Sequence, residues 1–242
     1  MPSQLLMIWE CAKTQDPEPN IMLHKTRGIV FRFTKYSETS IIVTIFTESF
    51  GLQSYIVNGV RSKSSKNKIA LFQPLTLLDL VVYHRENADI LRIKEVRCLY
   101  AFQTIHQDIR KSTIALFLSE ILNRAVKDQS HAEEIGEFII DSLTALDQLP
   151  HVENFHLIFL LKLSRFLGFG PQTHADFQDG WVLSKAEGDL LKELIDAGYD
   201  SPIKIGYAER KNILDALLRF YASHVENLGE IRSVEVLKEI LN

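Results

Sequence analysis

The chain has 242 residues, of which 46% are hydrophobic and 24% charged, and its formal net charge is −4 at pH 7. This composition is typical of a globular protein with a substantial core, and it excludes disorder along the whole chain. No apolar run approaches the roughly 18–20 residues that span a bilayer, and only two cysteines occur, so a transmembrane helix and a disulfide framework are excluded as well.

The charge is divided unevenly along the chain. Residues 1–21 carry one base and three acids, residues 22–100 carry twelve bases and six acids, and residues 101–242 carry fourteen bases and twenty-two acids. The net charges of these segments are therefore −2, +6 and −8. Because a partner meets the local field and not the average, this division predicts two domains with different partners.

Residues 1–21 show no sustained hydrophobic period, and they include Asp-Pro-Glu-Pro at 16–19, which disfavours both helix and strand. We interpret them as a poorly ordered N-terminal extension without an assigned function, and a small ordered element is the open alternative. The apolar patch Leu5–Trp9 lacks the basic flank and the length of a signal peptide. The sequence therefore predicts a cytoplasmic protein.

From Lys25 to Phe102 the sequence has short runs rich in β-branched and aromatic residues, bounded by turn residues. The short connections leave no room for a crossover helix, so the runs predict an antiparallel barrel or sandwich, for which a five-stranded OB-type barrel is the best-known small solution. We expect this OB-fold domain over residues 22–102. Its five strands are predicted at Arg27–Tyr36, Ser40–Phe46, Leu52–Val60, Gln73–Tyr83 and Asp89–Tyr100.

After Phe102 the apolar residues recur at helical spacing, which predicts an α-helical domain over residues 103–242. The fold class is therefore α+β, an N-terminal five-stranded antiparallel OB-type β-barrel followed by helices. Ser233 is the predicted cap of the last helix. Helices are expected around 114–125 and 135–146, over Phe155–Leu167 as a buried central helix, after a capping box at Ser184–Glu187, over Asn212–Val225, and from Ser233 to Leu241.

No constellation of catalytic residues stands out. The sequence has no glycine-rich phosphate loop, no nucleophile elbow, and no HExxH or CxxC pair. His151 and His156 are five residues apart, which places them on different faces of a helix and is poor metal geometry. We therefore predict no enzyme, no cofactor and no metal. A hydrolase or transferase of unrecognised type would require a cluster of titratable groups in a pocket.

The first domain contains the types of residue that bind nucleic acids. The stretch Gly51–Lys68 passes from a strand into a basic, serine-rich loop without acids. Lysine and arginine neutralise phosphates, and aromatic rings on a barrel face stack on bases. A solvated surface loop and aromatic side chains buried in the core are the open alternatives. The candidate residues are Lys25, Arg27, Arg32, Lys35, Tyr36, Tyr55, Arg61, Lys63, Lys66 and Lys68, with Phe72 as a further aromatic.

Motifs in both halves of the chain resemble those of a known family. Their order and spacing over residues 22–242 are similar to those of the RecO family of bacterial recombination mediators. The motifs are Gly28-Ile29-Val30, the Tyr36–Ser40 turn, Thr47–Leu52, the Asn58–Arg61 step and Phe72-Gln73-Pro74 in the first half, and Leu161–Pro171 and Arg232–Leu237 in the second.

The resemblance implies a non-enzymatic, nucleoid-associated DNA repair protein that binds single- and double-stranded DNA and anneals complementary strands. The resemblance also implies that the protein acts with RecR to load recombinase onto strands coated by single-strand-binding protein (SSB). It further implies that the helical domain recognises the acidic C-terminal tail of SSB. Lys162 and Arg165 are bases beside an apolar helix and are candidates for holding that tail, although they are equally suited to be ordinary solvated charges. An RNA-binding OB-fold module with a helical protein-interaction domain is the alternative function.

Many members of the family carry a four-cysteine zinc ribbon after the Leu167–Pro171 step. In this chain the segment Thr173–Val182 contains His174 and two acids but no cysteine. The resemblance therefore departs from the family at this point, and we expect no zinc ribbon.

Overall fold

The computed structural model describes residues 22–60, 69–85, 88–127, 130–172, 174–177 and 183–241. The predicted N-terminal extension, residues 1–21, lies outside this part of the chain. Among the helices of the described ranges, none combines the length and the apolar character that crossing a membrane requires.

Five strands form a closed barrel in the first part of the chain. Their order around the barrel is β1-β2-β3-β5-β4, and β1 closes it by pairing with both β2 and β4. A register shift between Val30 and Arg32 marks a bulge in β1, and bulges bend long strands of this kind. The predicted five-stranded OB-type barrel is confirmed. The strands are β1 (Met22–Tyr36), β2 (Ser40–Thr47), β3 (Gly51–Val57), β4 (Leu77–His84) and β5 (Leu91–Tyr100).

One pairing differs from the predicted antiparallel arrangement, because β3 and β5 run parallel. Between them the chain passes through the 3₁₀ helix Ile69–Phe72 and strand β4, and this excursion reverses its direction before β5 returns beside β3. The parallel ladder contains only the pairs Tyr55–Leu91 and Ile56–Arg92 and is the shortest of the five. The seam between β3 and β5 is therefore the weakest closure of the barrel.

The interior of the barrel follows from the alternation of side chains along each strand. Val43, Tyr55 and Leu91 lie opposite one another on β2, β3 and β5, and all three are buried. They belong to one apolar cluster with the alternate residues of β4, such as Leu80 and Val82. The residues between these positions face outward, so that Ile56 and Arg92 lie side by side on the barrel surface.

Six helices follow the barrel. The predicted central helix is the third, in which nine of twelve residues are buried. Such a helix has apolar side chains on all sides and must be covered by its neighbours. The helices are α1 (Ile109–Ala125), α2 (Ala132–Gln148), α3 (Phe155–Phe166), α4 (Lys185–Ile195), α5 (Tyr207–His224) and α6 (Ser233–Ile240).

Polar side chains satisfy free backbone N–H groups at the starts of α1, α4 and α6. Asp108 caps α1, and Ser184 and Glu187 form the predicted capping box at the start of α4. The predicted cap of α6 is wrong, because Ser233 lies inside its first turn. A carboxylate of α1, Glu120, instead accepts a hydrogen bond of 2.9 Å from the Ser233 backbone N–H. The last helix is thus anchored to the first.

The barrel and the helices share one apolar core. The barrel residues Ile29, Phe31 and Phe46 belong to the same buried cluster as residues of all six helices. An ion pair reinforces this joint on the surface, where the Arg27 guanidinium donates to Glu48 at 2.7 Å and to Glu137 of α2 at 3.2 Å. The first strand is therefore tied to the helical part through both apolar and charged contacts.

The connection between β5 and α1 is held by Asp147, which lies near the end of α2 and is only 2% exposed. Its carboxylate accepts hydrogen bonds from the backbone N–H groups of Gln103 (2.9 Å), Thr104 (2.8 Å) and Ile105 (3.0 Å). The Tyr100 hydroxyl donates to it as well, at 3.2 Å. One buried carboxylate thus fixes the path of the chain from the barrel into the helices.

Candidate nucleic-acid interface

An open groove lies on the barrel where the short ladder between β3 and β5 ends. Its volume is about 610 Å³. The last residues of β3 and the 3₁₀ helix form one side, and residues between 92 and 96 of β5 form the other. Val60 and Leu71 both line it, so the two ends of the segment that includes the basic loop reach this groove.

A second depression of about 480 Å³ adjoins the first, at the turn between β4 and β5. Tyr83 and Arg92 line both depressions, which therefore form one continuous feature. We call it the trough. Its described lining residues are Ile56, Val57, Asn58, Val60, Leu71, Phe72, Tyr83, Arg85, Ala88, Ile90, Leu91, Arg92, Ile93, Lys94 and Val96.

A row of outward side chains crosses the middle of the trough. Strand register places Tyr83 of β4 directly opposite Arg92 of β5, and Arg92 opposite Ile56 of β3. Directly opposed residues share a face of the sheet, with their Cβ atoms about 4.5–5.5 Å apart. Tyr83 is 37% exposed. An accessible aromatic ring therefore stands beside a guanidinium group.

The charged residues of the trough are all basic. Arg85, Arg92 and Lys94 are exposed, and within the described ranges none of them forms an ion pair with a carboxylate. Arg92 and Lys94 both line the groove from β5. Unpaired cations on one face of a groove attract a polyanion, and the rim of the trough has this character.

The tip of the β1–β2 hairpin lies at the same end of the barrel. Lys35 pairs with Ile41, which in turn pairs with Val57 of the trough, and the Ser40 hydroxyl donates to Asn58 at 3.0 Å. Lys35 and the neighbouring Tyr36 are exposed, the latter by 50%. The structure thus brings these two predicted residues toward the trough.

Arg32 lies farther along β1 on the outer surface of the barrel. It is exposed, and it pairs across the sheet with Thr44, which pairs with Ser54 of β3. Ser54 and Ile56 are two residues apart on β3 and so face the same side. Arg32 therefore shares an outer face with the trough without lining it.

Two other predicted residues lie elsewhere. Lys25 and Arg27 pair with Val81 and Asp79 of β4, do not line the trough, and share a depression with Glu48, Asp79 and Glu133. The hydrogen bond from Arg27 to Glu48 raises the arginine pKa above its usual value, against the opposing effect of burial. Arg27 serves the joint between barrel and helices, and its contact with phosphate stays a prediction.

The prediction that Tyr55 stacks on a base is wrong. Its side chain is 0% exposed and fills the barrel core, and burial raises the pKa of its hydroxyl. Phe72 is buried as well, with 1% exposure. Both are core aromatics, which is the alternative that the sequence left open. The predicted loop residues Arg61, Lys63, Lys66 and Lys68 lie outside the described residues.

The predicted partner residues Lys162 and Arg165 lie on α3. Arg165 donates to the Ile195 carbonyl oxygen at 2.8 Å and to the exposed Asp196 carboxylate at 3.2 Å. The Lys162 ammonium nitrogen lies 5.6 Å from the centre of the Tyr199 ring, within the range of a cation–π contact. Both bases thus make contacts inside the helical part.

An exposed aromatic ring adjoins these two bases. Phe166 follows Arg165 on α3, is 39% exposed, and stacks on Phe138 with ring centres 4.7 Å apart. We call Lys162, Arg165 and Phe166 the α3 patch.

The sequence patterns did not single out Tyr83, Arg92 and Lys94. A short signal was present in β5, where Arg92 and Lys94 alternate with the apolar Leu91 and Ile93 before Glu95 breaks the pattern. Tyr83 gave no such signal, because only the pairing with Arg92 shows that its ring faces the groove.

The chemistry of the described residues also bears on metal binding. Within the ranges that the structure describes, no group of three or more histidine, cysteine, aspartate or glutamate side chains is arranged to hold a metal ion. Most of the segment where the family's zinc ribbon would stand, residues 173 and 178–182, lies outside those ranges.

Two family models match this sequence. Residues 22–102 match the family model for the N terminal of recombination protein O, and residues 106–180 match the model for its C terminal. The chain belongs to the RecO family. The RecO N-terminal match covers the whole barrel, and the C-terminal match covers α1 to α3.

Individual RecO proteins are similar over nearly their whole length. The DNA repair protein RecO of Flavobacterium johnsoniae is 36% identical over 234 residues, which cover 90% of this chain and 99% of that protein. The DNA repair protein RecO of Bacteroides fragilis is 34% identical over 242 residues, covering 91% of this chain and 100% of that protein. This family identity supports a role in DNA repair and recombination.

Proposed function

We propose that this chain is a DNA-binding recombination mediator that acts in DNA repair without catalysing a covalent reaction. The trough carries the proposal, because Arg92 and Lys94, which form no ion pair with any residue that the structure describes, stand beside the exposed Tyr83 on the OB-type barrel of a RecO-family chain. Basic side chains supply affinity for phosphates regardless of sequence, and aromatic rings supply affinity for bases. The ligand is DNA, in both its single-stranded and its double-stranded form.

Annealing of complementary strands follows from the same charges. Two DNA strands repel each other through their phosphates, and a surface that neutralises both lowers this repulsion. Residues 22–100 carry a net charge of +6, whereas residues 101–242 carry −8. The barrel therefore attracts the strands, and the acidic helical part stays clear of them.

The helical part serves as the platform for protein partners, which are RecR and the C-terminal tail of SSB. The α3 patch supports the second of these, because it combines two bases with an exposed aromatic ring. Basic groups pair with the carboxylates of an acidic tail, and an apolar contact fixes its aromatic residue. The ion pair between Arg165 and the exposed Asp196 lies at the surface, where such pairs contribute little. A carboxylate of the tail can therefore replace Asp196.

The proposal of DNA binding is tested with the double variant Arg92→Ala/Lys94→Ala. We expect weaker binding of a fluorescein-labelled 20-mer, measured by anisotropy between 50 and 200 mM salt. Each lost phosphate contact makes the slope of log affinity against log salt shallower by about 0.7 for a single strand, so two contacts change it by about 1.4. The matched control is Lys185→Ala/Lys204→Ala, which removes two exposed positive charges from the helical part.

The basic loop is tested separately. Replacing Arg61, Lys63, Lys66 and Lys68 together by alanine should weaken binding further and flatten the salt dependence again. Undiminished binding in that variant at moderate salt would refute the role of the loop, and an unchanged slope in Arg92→Ala/Lys94→Ala would refute the role of the trough.

The mediator activity is tested by annealing complementary oligonucleotides coated with SSB, with and without the acidic SSB tail. We expect annealing to be faster with the intact tail, and Lys162→Ala/Arg165→Ala should remove that advantage while leaving the annealing of bare strands unchanged. Equal rates with both forms of SSB would contradict the assignment of the α3 patch. Single-stranded RNA of the same sequence distinguishes the alternative of an RNA-binding module, which requires RNA to bind more tightly than DNA.

A further inference from the structure

The trough has a floor and a rim of different chemistry. Ile56, Val57, Val60 and Ile93 give the floor an apolar character, whereas Arg85, Arg92 and Lys94 supply charge at the surface. A nucleotide has the same division, with an apolar base face at one end and a phosphate at the other. The trough therefore matches a strand whose bases turn inward and whose phosphates stay at the rim.

Tyr83 occupies the position where these two chemistries meet. Its ring lies directly opposite Arg92 across the β4–β5 ladder, and it lines both depressions of the trough. Among the lining residues that the structure describes, it is the only aromatic side chain with substantial exposure, because Phe72 is buried. A base stacked on Tyr83 places its own or the adjoining phosphate within reach of the Arg92 guanidinium.

We infer that the trough binds an unpaired strand selectively and that Tyr83 determines this selectivity by stacking on a base, an inference that rests on the proposed function. In the interior of a duplex both faces of each base are covered by neighbouring bases, so only the terminal pairs offer an open face to the Tyr83 ring. An extended single strand has open base faces. A duplex meets only the basic rim, whereas a single strand gains the stacking contact in addition.

Stacking also leaves the pairing edge of the base free. The contact with Tyr83 uses the flat face of the base, and the contact with Arg92 uses the phosphate. The hydrogen-bonding edge remains available to a complementary strand. Selective binding of unpaired bases by their faces is therefore compatible with annealing, and formation of the duplex ends the stacking contact.

The inference is tested by measuring the affinities of the full chain for a single-stranded 20-mer and for its duplex at one salt concentration. Stacking contributes about 1–3 kcal/mol per base, so Tyr83→Ala should lower the single-strand affinity by about 5- to 150-fold. The duplex affinity should stay within about twofold. Tyr83→Phe keeps the ring and should retain the single-strand affinity, and Tyr83→Leu keeps only apolar bulk and should not. Tyr207→Ala removes a similarly exposed tyrosine from the helical part as the matched control.

A second measurement uses the fluorescence of the indole introduced by Tyr83→Trp, compared with the unsubstituted chain. Single-stranded DNA should quench this added fluorescence, and the duplex should not. Equal losses of single-strand and duplex affinity in Tyr83→Ala, full affinity in Tyr83→Leu, or no added quenching by single strands would each overturn the inference while DNA binding itself stands. Absence of DNA binding by the unsubstituted chain would instead refute the proposed function.

Discussion

Asp147 should be one of the most important single side chains for the stability of this fold. It is buried at the end of α2 and accepts hydrogen bonds from three consecutive backbone N–H groups of the connection between barrel and helices. We predict that Asp147→Asn destabilises the protein strongly at neutral pH. The amide keeps the shape of the carboxyl group, but it loses the negative charge and turns an N–H₂ group toward donors.

The magnitude follows from the pKa of this carboxyl group. Burial alone would raise the pKa, but the backbone N–H groups of Gln103, Thr104 and Ile105 and the Tyr100 hydroxyl outweigh burial and lower it to about 2. The unfolded value is about 3.9, and each unit of difference corresponds to about 1.4 kcal/mol. The ionised carboxylate therefore contributes about 2–3 kcal/mol to the free energy of unfolding at pH 7.

The sign of the pH dependence is fixed by the direction of this shift. Because the folded pKa lies below the unfolded one, the contribution is complete above about pH 4–5 and is lost as the pH falls through 4 toward 2. Urea unfolding followed by circular dichroism at pH 7, 5, 4 and 3 should show a difference between wild type and Asp147→Asn that shrinks with acidity. Asp141→Asn, an exposed acid on the same helix, should change stability by less than about 0.5 kcal/mol. A difference that stays constant across this range would refute the reasoning.

Two further predictions concern the core. Burial, assisted by the charge of Arg210, lowers the pKa of His156 to about 3, so the unfolded chain binds a proton first and stability falls by about 1 kcal/mol per pH unit below about pH 6.5. His156→Leu should lack this slope in urea titrations between pH 7 and 5, and an identical slope would contradict the assignment. At Gly28 an added Cβ would lie 2.7 Å from Ile45 and 2.9 Å from Leu80, so Gly28→Ala should cost about 1–3 kcal/mol. If Gly28→Ala unfolded at the same midpoint temperature as the wild type, the predicted crowding would be refuted.

The elements of the fold were predictable because local periodicity determines them. The predicted strands Ser40–Phe46 and Asp89–Tyr100 differ from β2 and β5 by only one or two residues at their ends, and the capping box at Ser184–Glu187 opens α4 as expected. Alternation of apolar side chains and the chemistry of a helix start are properties of neighbours in the chain. Such properties are present in the sequence itself.

The candidate site was less predictable, because it depends on which strands become neighbours. Tyr55 and Tyr83 are both tyrosines in strand-like runs, yet one fills the barrel and the other faces the trough. Only the register across β3, β5 and β4 separates them. In the same way, the pairing of Arg27 with Glu137 depends on the packing of α2 beside β1, which the sequence does not show. Distances between residues more than a hundred positions apart are not encoded in a local pattern.

The common core of barrel and helices has an evolutionary consequence. Ile29, Phe31 and Phe46 are buried with residues of the helices, so a chain ending after the barrel would present these side chains to water. Many small barrels are inherited as portable units that genes exchange between unrelated contexts. This barrel is not an independent unit of that kind, because residues on its outer surface form part of the core of the helices. Substitutions on that surface are therefore constrained from both sides, and the two halves of the gene are expected to change together.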